Sequence, residues 1–169
     1  MKISIVLGDI TKVRADAIVN AANSTLMGGG GVDGAIHRAA GPGLLEECKE
    51  IRRTLYPDGL PTGKAVKTDG YRLPCRIIIH TVGPKCPTEG IGLLEDCYRN
   101  SLDMAEQEGC STVAFPAIST GAYGCPIGES ARIVKRVLTG YEADRIKEAV
   151  LVLFSVPDYE AYKEEFGLA

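Results

Sequence analysis

Between Val19 and His37 the chain carries several polar side chains, four consecutive glycines at Gly28 to Gly31 and a single acid, Asp33, but no lysine or arginine. Such a stretch can hold an anion with its backbone: glycine reaches conformations closed to other residues, so successive N–H groups can converge on one oxygen-rich ligand with no side chain in the way. A phosphate group is the expected guest. An acid beside it weakens anion binding, which points to a chemical task for Asp33. As a favoured helix cap, Asp33 would instead stabilise the following helix by about 1 kcal/mol and do nothing more. The local pattern leaves both roles open.

A second segment of similar chemistry runs from Pro116 to Pro126, Pro-Ala-Ile-Ser-Thr-Gly-Ala-Tyr-Gly-Cys-Pro, again uncharged and glycine-bearing. By itself Ser119 to Gly124 reads as an ordinary strand-to-helix turn. Paired with the first loop, it could pinch one diphosphate.

The elements that must position these loops follow from hydrophobic patterning. β-rich apolar runs at Ile3 to Leu7, Ala17 to Ala21, Ala65 to Thr68, Arg76 to Val82, Thr112 to Phe115 and Val150 to Phe154 read as strands, several of them apolar on both faces and therefore central. Amphipathic stretches at Val32 to Ala40, Leu44 to Thr54, Leu93 to Glu108, Ile127 to Tyr141 and Tyr159 to Phe166 read as helices. This alternation predicts an α/β fold with a mixed sheet, in one domain spanning residues 1–169. The strand Ala17 to Ala21 delivers the chain into Asn23 and the glycine loop, at the carboxyl end where open α/β sheets place ligands.

Composition narrows the function classes. A length of 169 residues with 45% hydrophobic and 24% charged residues supports one substantial core, and a net charge of -3 without a basic patch argues against an extended nucleic-acid partner. The run Met1 to Leu7 is too short for a signal-peptide core or a membrane span, so a cytoplasmic protein with no membrane partner is expected. The six cysteines form no Cys-x-x-Cys pair. Neither a disulfide scaffold nor a structural zinc site is favoured, most thiols are expected to be reduced, and Cys125 reads as incidental. His80 sits in a strand pattern and reads as structural.

The motifs Gly8-Asp9-Ile10-Thr11, Val19-Asn-Ala-Ala-Asn23, Gly28 to His37, Ile79-His-Thr-Val-Gly-Pro84 and Ile118-Ser-Thr-Gly-Ala-Tyr-Gly124 resemble, in order and over essentially the whole chain, those of the macrodomain family, and of its MacroD-type branch. Small departures occur, such as Gly43 and Lys64 where an acid is more usual; neither falls on a ligand motif. The resemblance implies a three-layer α/β/α sandwich with an ADP-ribose cleft above the sheet. Asp9 would accept a hydrogen bond from the adenine amino group, Ile10 would offer its backbone N–H, and Phe154 would face the ring. Gly30, Gly31 and Val32, with Ser119, Thr120, Gly121, Ala122 and Tyr123, would surround the diphosphate, with only mild salt dependence. Asn23 would bond a hydroxyl of the distal ribose.

The MacroD-type resemblance further implies a hydrolase acting on an ester of the distal ribose, either ADP-ribose on a Glu or Asp side chain of a mono-ADP-ribosylated protein or O-acetyl-ADP-ribose. Asn23, Asp33 and His37 would form its catalytic group, with Asp33 orienting and partly deprotonating water and His37 in support. No metal and no redox cofactor is implied. The alternative is a reader that binds ADP-ribose without turnover, since many macrodomains only bind. A dehydrogenase is less favoured: Gly29-x-Gly31-x-x-Gly34 matches the dinucleotide fingerprint, but the acid expected about 20 residues on, at the end of a second strand, is replaced by the helical Glu46 to Arg53.

Overall fold

The computed structural model describes residues 1–168. Six strands, β1 (Lys2–Leu7), β2 (Ala15–Ala22), β3 (Ala65–Asp69), β4 (Cys75–Val82), β5 (Thr112–Phe115) and β6 (Glu148–Leu153), form one sheet in the order β1-β6-β5-β2-β4-β3. Neighbours are parallel except β3, which runs antiparallel to β4 at the edge. The helices are α1 (Gly31–Ala40), α2 (Pro42–Thr54), α3 (Cys86–Glu89), α4 (Leu93–Gln107), α5 (Ile127–Gly140) and α6 (Val156–Glu165), with a 3-10 turn at Ile10–Lys12.

The period of two along β2 explains the layering. Ala17 and Val19 point into one core with Leu94, Tyr98 and Leu102 of α4, Val134 and Val137 of α5, and Tyr162 of α6. Ile18 and Ala22 point into the other, with Ile36 and Ala40 of α1 and Leu44, Cys48 and Ile51 of α2. Helices thus cover both faces of a mixed sheet, which is the α/β fold that the patterning predicts and the three-layer α/β/α sandwich that the macrodomain resemblance implies. None of the described helices is long and apolar enough to cross a membrane.

Two boundaries differ in ways that matter for the site. β6 stops at Leu153, leaving Phe154 outside the ladder, and α6 starts at Val156, capped by Ser155, whose hydroxyl accepts from Asp158 N–H at 3.3 Å. The Ser-x-x-Asp cap moves the helix start three residues before the expected Tyr159. The four-residue helix α3, with its proline in the first turn, has no counterpart in the sequence reading, because four residues show no period.

Candidate functional site

The carboxyl ends of β1, β6, β5 and β2 lie side by side and open into a cleft of about 810 Å3. Asp9, Ile10, Asn23, Gly30, Gly31, Val32, Asp33, Ser119, Thr120, Gly121, Ala122, Tyr123 and Phe154 all line it. His37 lies behind this wall, its ring packed under Gly28 at about 3.6 Å from where a Cβ there would stand.

The glycine loop feeds α1 directly. Gly28 (φ +88°) and Gly31 (φ +58°) adopt left-handed backbone that side-chain-bearing residues avoid. Gly30, not Asp33, is the N-cap, and the first helical bond runs from Gly34 N–H to Gly30 C=O at 3.2 Å. The N–H groups of Gly31, Val32 and Asp33 therefore have no partner within the helix and meet the cleft at the positive end of its dipole. Asp33 is the third helical residue, so the capping role is excluded.

Asp33 is 5% exposed and forms the end of a buried polar chain. Asn20 Nδ2 donates to Asp33 Oδ1 at 2.9 Å and lies 3.1 Å from His80 Nδ1, while His80 Nε2 lies 2.9 Å from Thr68 Oγ1. Thr68 in turn donates to Asp69 C=O. The chain has one consistent direction when His80 is neutral with its proton on Nε2, so that Nδ1 accepts from Asn20. Burial pushes the His80 pKa down to about 3, which keeps the ring neutral. Burial also raises the Asp33 pKa, partly offset by the Asn20 bond and by His37, whose Nε2 lies 3.5 Å away. Asn20 and His80 meet because they are register partners on β2 and β4. Sequence reading passed over Asn20 and gave His80 no link to the site.

Asn23 adopts the local turn that its residue type favours: its Oδ1 accepts from Thr25 N–H at 3.1 Å, and its Nδ2 donates to Gly28 C=O at 3.0 Å. The amide still reaches the cleft. A Cβ on Gly29 would stand 3.3 Å from both Asn23 Nδ2 and Asp33 Oδ2, so these two groups converge on a point that only glycine leaves open.

The second loop is shaped by Ser119, which is buried with φ +66° and whose Oγ has no hydrogen-bond partner. Its neighbour is Gly83, after β4, where any Cβ would overlap that Oγ. Cys125 closes the loop in a disulfide with Cys86. This corrects the reading of Cys125 as incidental. The two cysteines are 39 residues apart and come together only because β5 and β4 flank β2 at the same end of the sheet.

At the other end of the cleft Asp9 caps the 3-10 turn, its Oδ1 accepting from Thr11 N–H at 2.9 Å and Thr11 Oγ1 at 2.7 Å. These bonds hold its carboxyl below the usual range. Ile10, the next residue, is buried. Phe154 is 85% exposed beside the cleft, which excludes a core role. Arg38 and Asp158 also line the cleft. Arg38 corrects the picture of a cradle without cations. Its helical spacing from Val32 and Ala35 was the available signal, whereas Asp158 offered none. Among the described residues no group of three or more His, Cys, Asp or Glu side chains is placed to hold a metal ion.

A Macro domain family model matches residues 19–134. A macro domain-containing protein of Streptomyces nogalater is 51% identical over 168 residues, 98% of this chain and 92% of its own length. One from Methanosarcina mazei is 54% identical over 156 residues, 90% of this chain and 80% of its own. A mutant macrodomain of Oceanobacillus iheyensis, solved with ADPR, superposes with a TM-score of 0.93 at 47% identity, over 96% of this chain and 90% of that one. A Trypanosoma brucei macrodomain in complex with ADP-ribose gives 0.84 at 38% identity, over 96% and 68%. With the family model covering well over half of the sequence and relatives matching nearly all of it, the chain belongs to the Macro domain family.

Proposed function

We propose that the cleft binds ADP-ribose and that the protein hydrolyses an ester on its distal ribose, in a Glu- or Asp-linked mono-ADP-ribosylated protein or in O-acetyl-ADP-ribose, in the cytoplasm. The observation that carries this reading is the convergence of Asp33 Oδ2 and Asn23 Nδ2 at 3.3 Å from one open point beside the free N–H groups of α1. The similar macrodomains solved with ADPR and with ADP support the ligand class. The diphosphate takes the backbone donors of the glycine loop and of Ser119 to Tyr123. Phe154 covers the adenine, and Asp9 and Ile10 read its edge. The distal ribose then lies over Asn23 and Asp33.

In the chemical step a water oxygen bonds to the ester carbonyl carbon while Asp33 takes one of its protons. The acyl carbon–oxygen bond breaks, and that proton passes to the ribose oxygen, giving a free carboxyl group and a hydroxyl on ADP-ribose. Burial suits Asp33 to this role, because a raised pKa makes its carboxylate a better proton acceptor. His37 supports Asp33 from behind.

The test is release of free ADP-ribose from a glutamate-linked ADP-ribosylated protein, with ADP-ribose affinity measured alongside. Asp33→Ala should slow release by about 100-fold or more while leaving affinity within a few-fold. Binding by the wild type with no release from ester substrates would make the protein a reader and overturn the catalytic assignment.

A further inference from the structure

We propose that Cys86 and Cys125 form a redox site at which small thiols and their disulfides control how firmly the loop Ser119–Gly124 is held against the cleft, a role that rests on the reading of this cleft as the ADP-ribose site. The other cysteines among the described residues, Cys48, Cys75, Cys97 and Cys110, are unpaired thiols, so the chain does not use disulfides as a general scaffold. The one bond present joins the first residue of α3 to the loop that follows β5, and the chain on both sides lines the cleft, through Gly83 just before α3 and through Ser119 to Tyr123 just before Cys125. In a protein otherwise carrying thiols, a disulfide in that position fits redox sensing better than bulk stabilisation.

The contacts around the bond show what it holds. Cys86 N–H donates to Tyr123 C=O, and Cys125 N–H donates to Ser119 C=O, each at 2.9 Å. Lys85 Nζ stands 5.5 Å from the centre of the Tyr123 ring, and a Cβ on Gly124 would meet Pro87 at 3.6 Å. Between these anchors the loop has little of its own to hold it: Gly121 and Ala122 are exposed, and Ser119 sits in left-handed backbone that surrounding structure must enforce. Without the disulfide, the loop keeps two internal backbone bonds, Cys125 N–H to Ser119 C=O and Gly124 N–H to Gly121 C=O at 3.0 Å, while the Cys86–Tyr123 backbone bond and the Lys85–Tyr123 cation–π contact tie it to the segment at Lys85 and Cys86.

The chemistry is thiol–disulfide exchange with a low-molecular-weight thiol. Cys86 is half-buried and Cys125 is 3% exposed, so an incoming thiolate attacks Cys86 Sγ. The sulfur–sulfur bond breaks and Cys125 leaves as a thiolate that takes up a proton. A second thiol then resolves the mixed disulfide. In sum, one protein disulfide and two small thiols give two protein thiols and one small disulfide; oxidation by the small disulfide is the reverse. The released Cys125 has an acceptor in place, since Pro84 C=O lies 3.7 Å from its sulfur.

The experiment uses the full chain equilibrated with oxidised or reduced glutathione, with thiols counted by alkylation and mass after unfolding. Four thiols are expected in the oxidised form and six in the reduced form, matching the four unpaired cysteines and the one bonded pair. Reduction should weaken ADP-ribose binding about fivefold, because the loop must then be ordered on binding. Cys86→Ser should show the weaker value in both buffers. Six thiols in the oxidised form, or equal affinity in the two forms, overturns the proposal. If neither form binds ADP-ribose, the ligand assignment has failed, and hydrogen exchange of the Ser119–Gly124 amides decides the redox site separately: slower exchange in the oxidised form supports it, and equal exchange overturns it.

Discussion

At the scale of single residues, the site depends on groups that touch no ligand. Asn20 supplies both protons of its amide, one to Asp33 Oδ1 and one to His80 Nδ1, and it is fully buried while doing so. Removing the amide leaves two buried acceptors unpaired, at a cost of about 2–3 kcal/mol in stability. It also removes the bond that holds the Asp33 pKa down. Asn20→Ala should therefore shift the acid limb of kcat/KM to higher pH while ADP-ribose affinity is retained, which a pH–rate profile beside a binding isotherm reads directly. A merely structural Asn20 would lower the melting temperature and leave the limb in place. The acid at Asp33 was legible from sequence because a lone carboxyl in an uncharged glycine loop is conspicuous. Asn20 was not, because an Asn within a strand pattern announces nothing until the β2–β4 register sets it against His80.

At the scale of elements, the approach of the glycine loop to α1 decides whether the cradle exists. Gly34 lies in the first turns of α1, where a Cβ would overlap Gly29 C=O and stand 3.0 Å from Arg38 Nη1. Backbone cannot yield as a flexible side chain can, so Gly34→Ala should push the loop away from the helix and abolish the thermal shift expected of the wild type with ADP-ribose. Gly128→Ala is the control: nothing lies within 4 Å of its Cβ position near the start of α5, and the substitution should stabilise the fold by about 0.5 kcal/mol or leave it unchanged, with the ligand-induced shift retained. Differential scanning fluorimetry with and without ADP-ribose separates the two. Strands and long helices were legible to within a few residues because their periods are long enough to read. The four-residue α3 was not, and neither was the disulfide at its first residue, because both depend on which loops the sheet order brings together.

At the scale of the whole molecule, a polar chain runs from the cleft at Asp33 back to Thr68 on the edge strand β3, beneath α1 and α2. It ties function to the acid stability of the fold. His80 titrates near its ordinary value of 6.5 when unfolded but only near 3 when folded, because the folded site excludes the charged ring. Between those values the unfolded state binds the extra proton, so stability rises with pH across this window and falls as the solution is acidified. Each pH unit below the unfolded value costs about 1.4 kcal/mol, which from pH 7 to pH 5 amounts to about 2 kcal/mol from His80 alone. Asp33 works in the opposite sense: its folded pKa is raised, so its buried charge is a cost at neutral pH that protonation relieves on acidification. Urea unfolding at pH 7 and pH 5 should show the wild type losing about 2 kcal/mol more than His80→Gln. A variant that folds poorly does not remove the test, because the His80 ring of the wild type, followed by NMR, should stay neutral to about pH 4. A ring that charges near pH 6 in the folded protein would mean that the chain from Thr68 to Asp33 does not exclude the proton, and that the direction assigned to its hydrogen bonds is wrong.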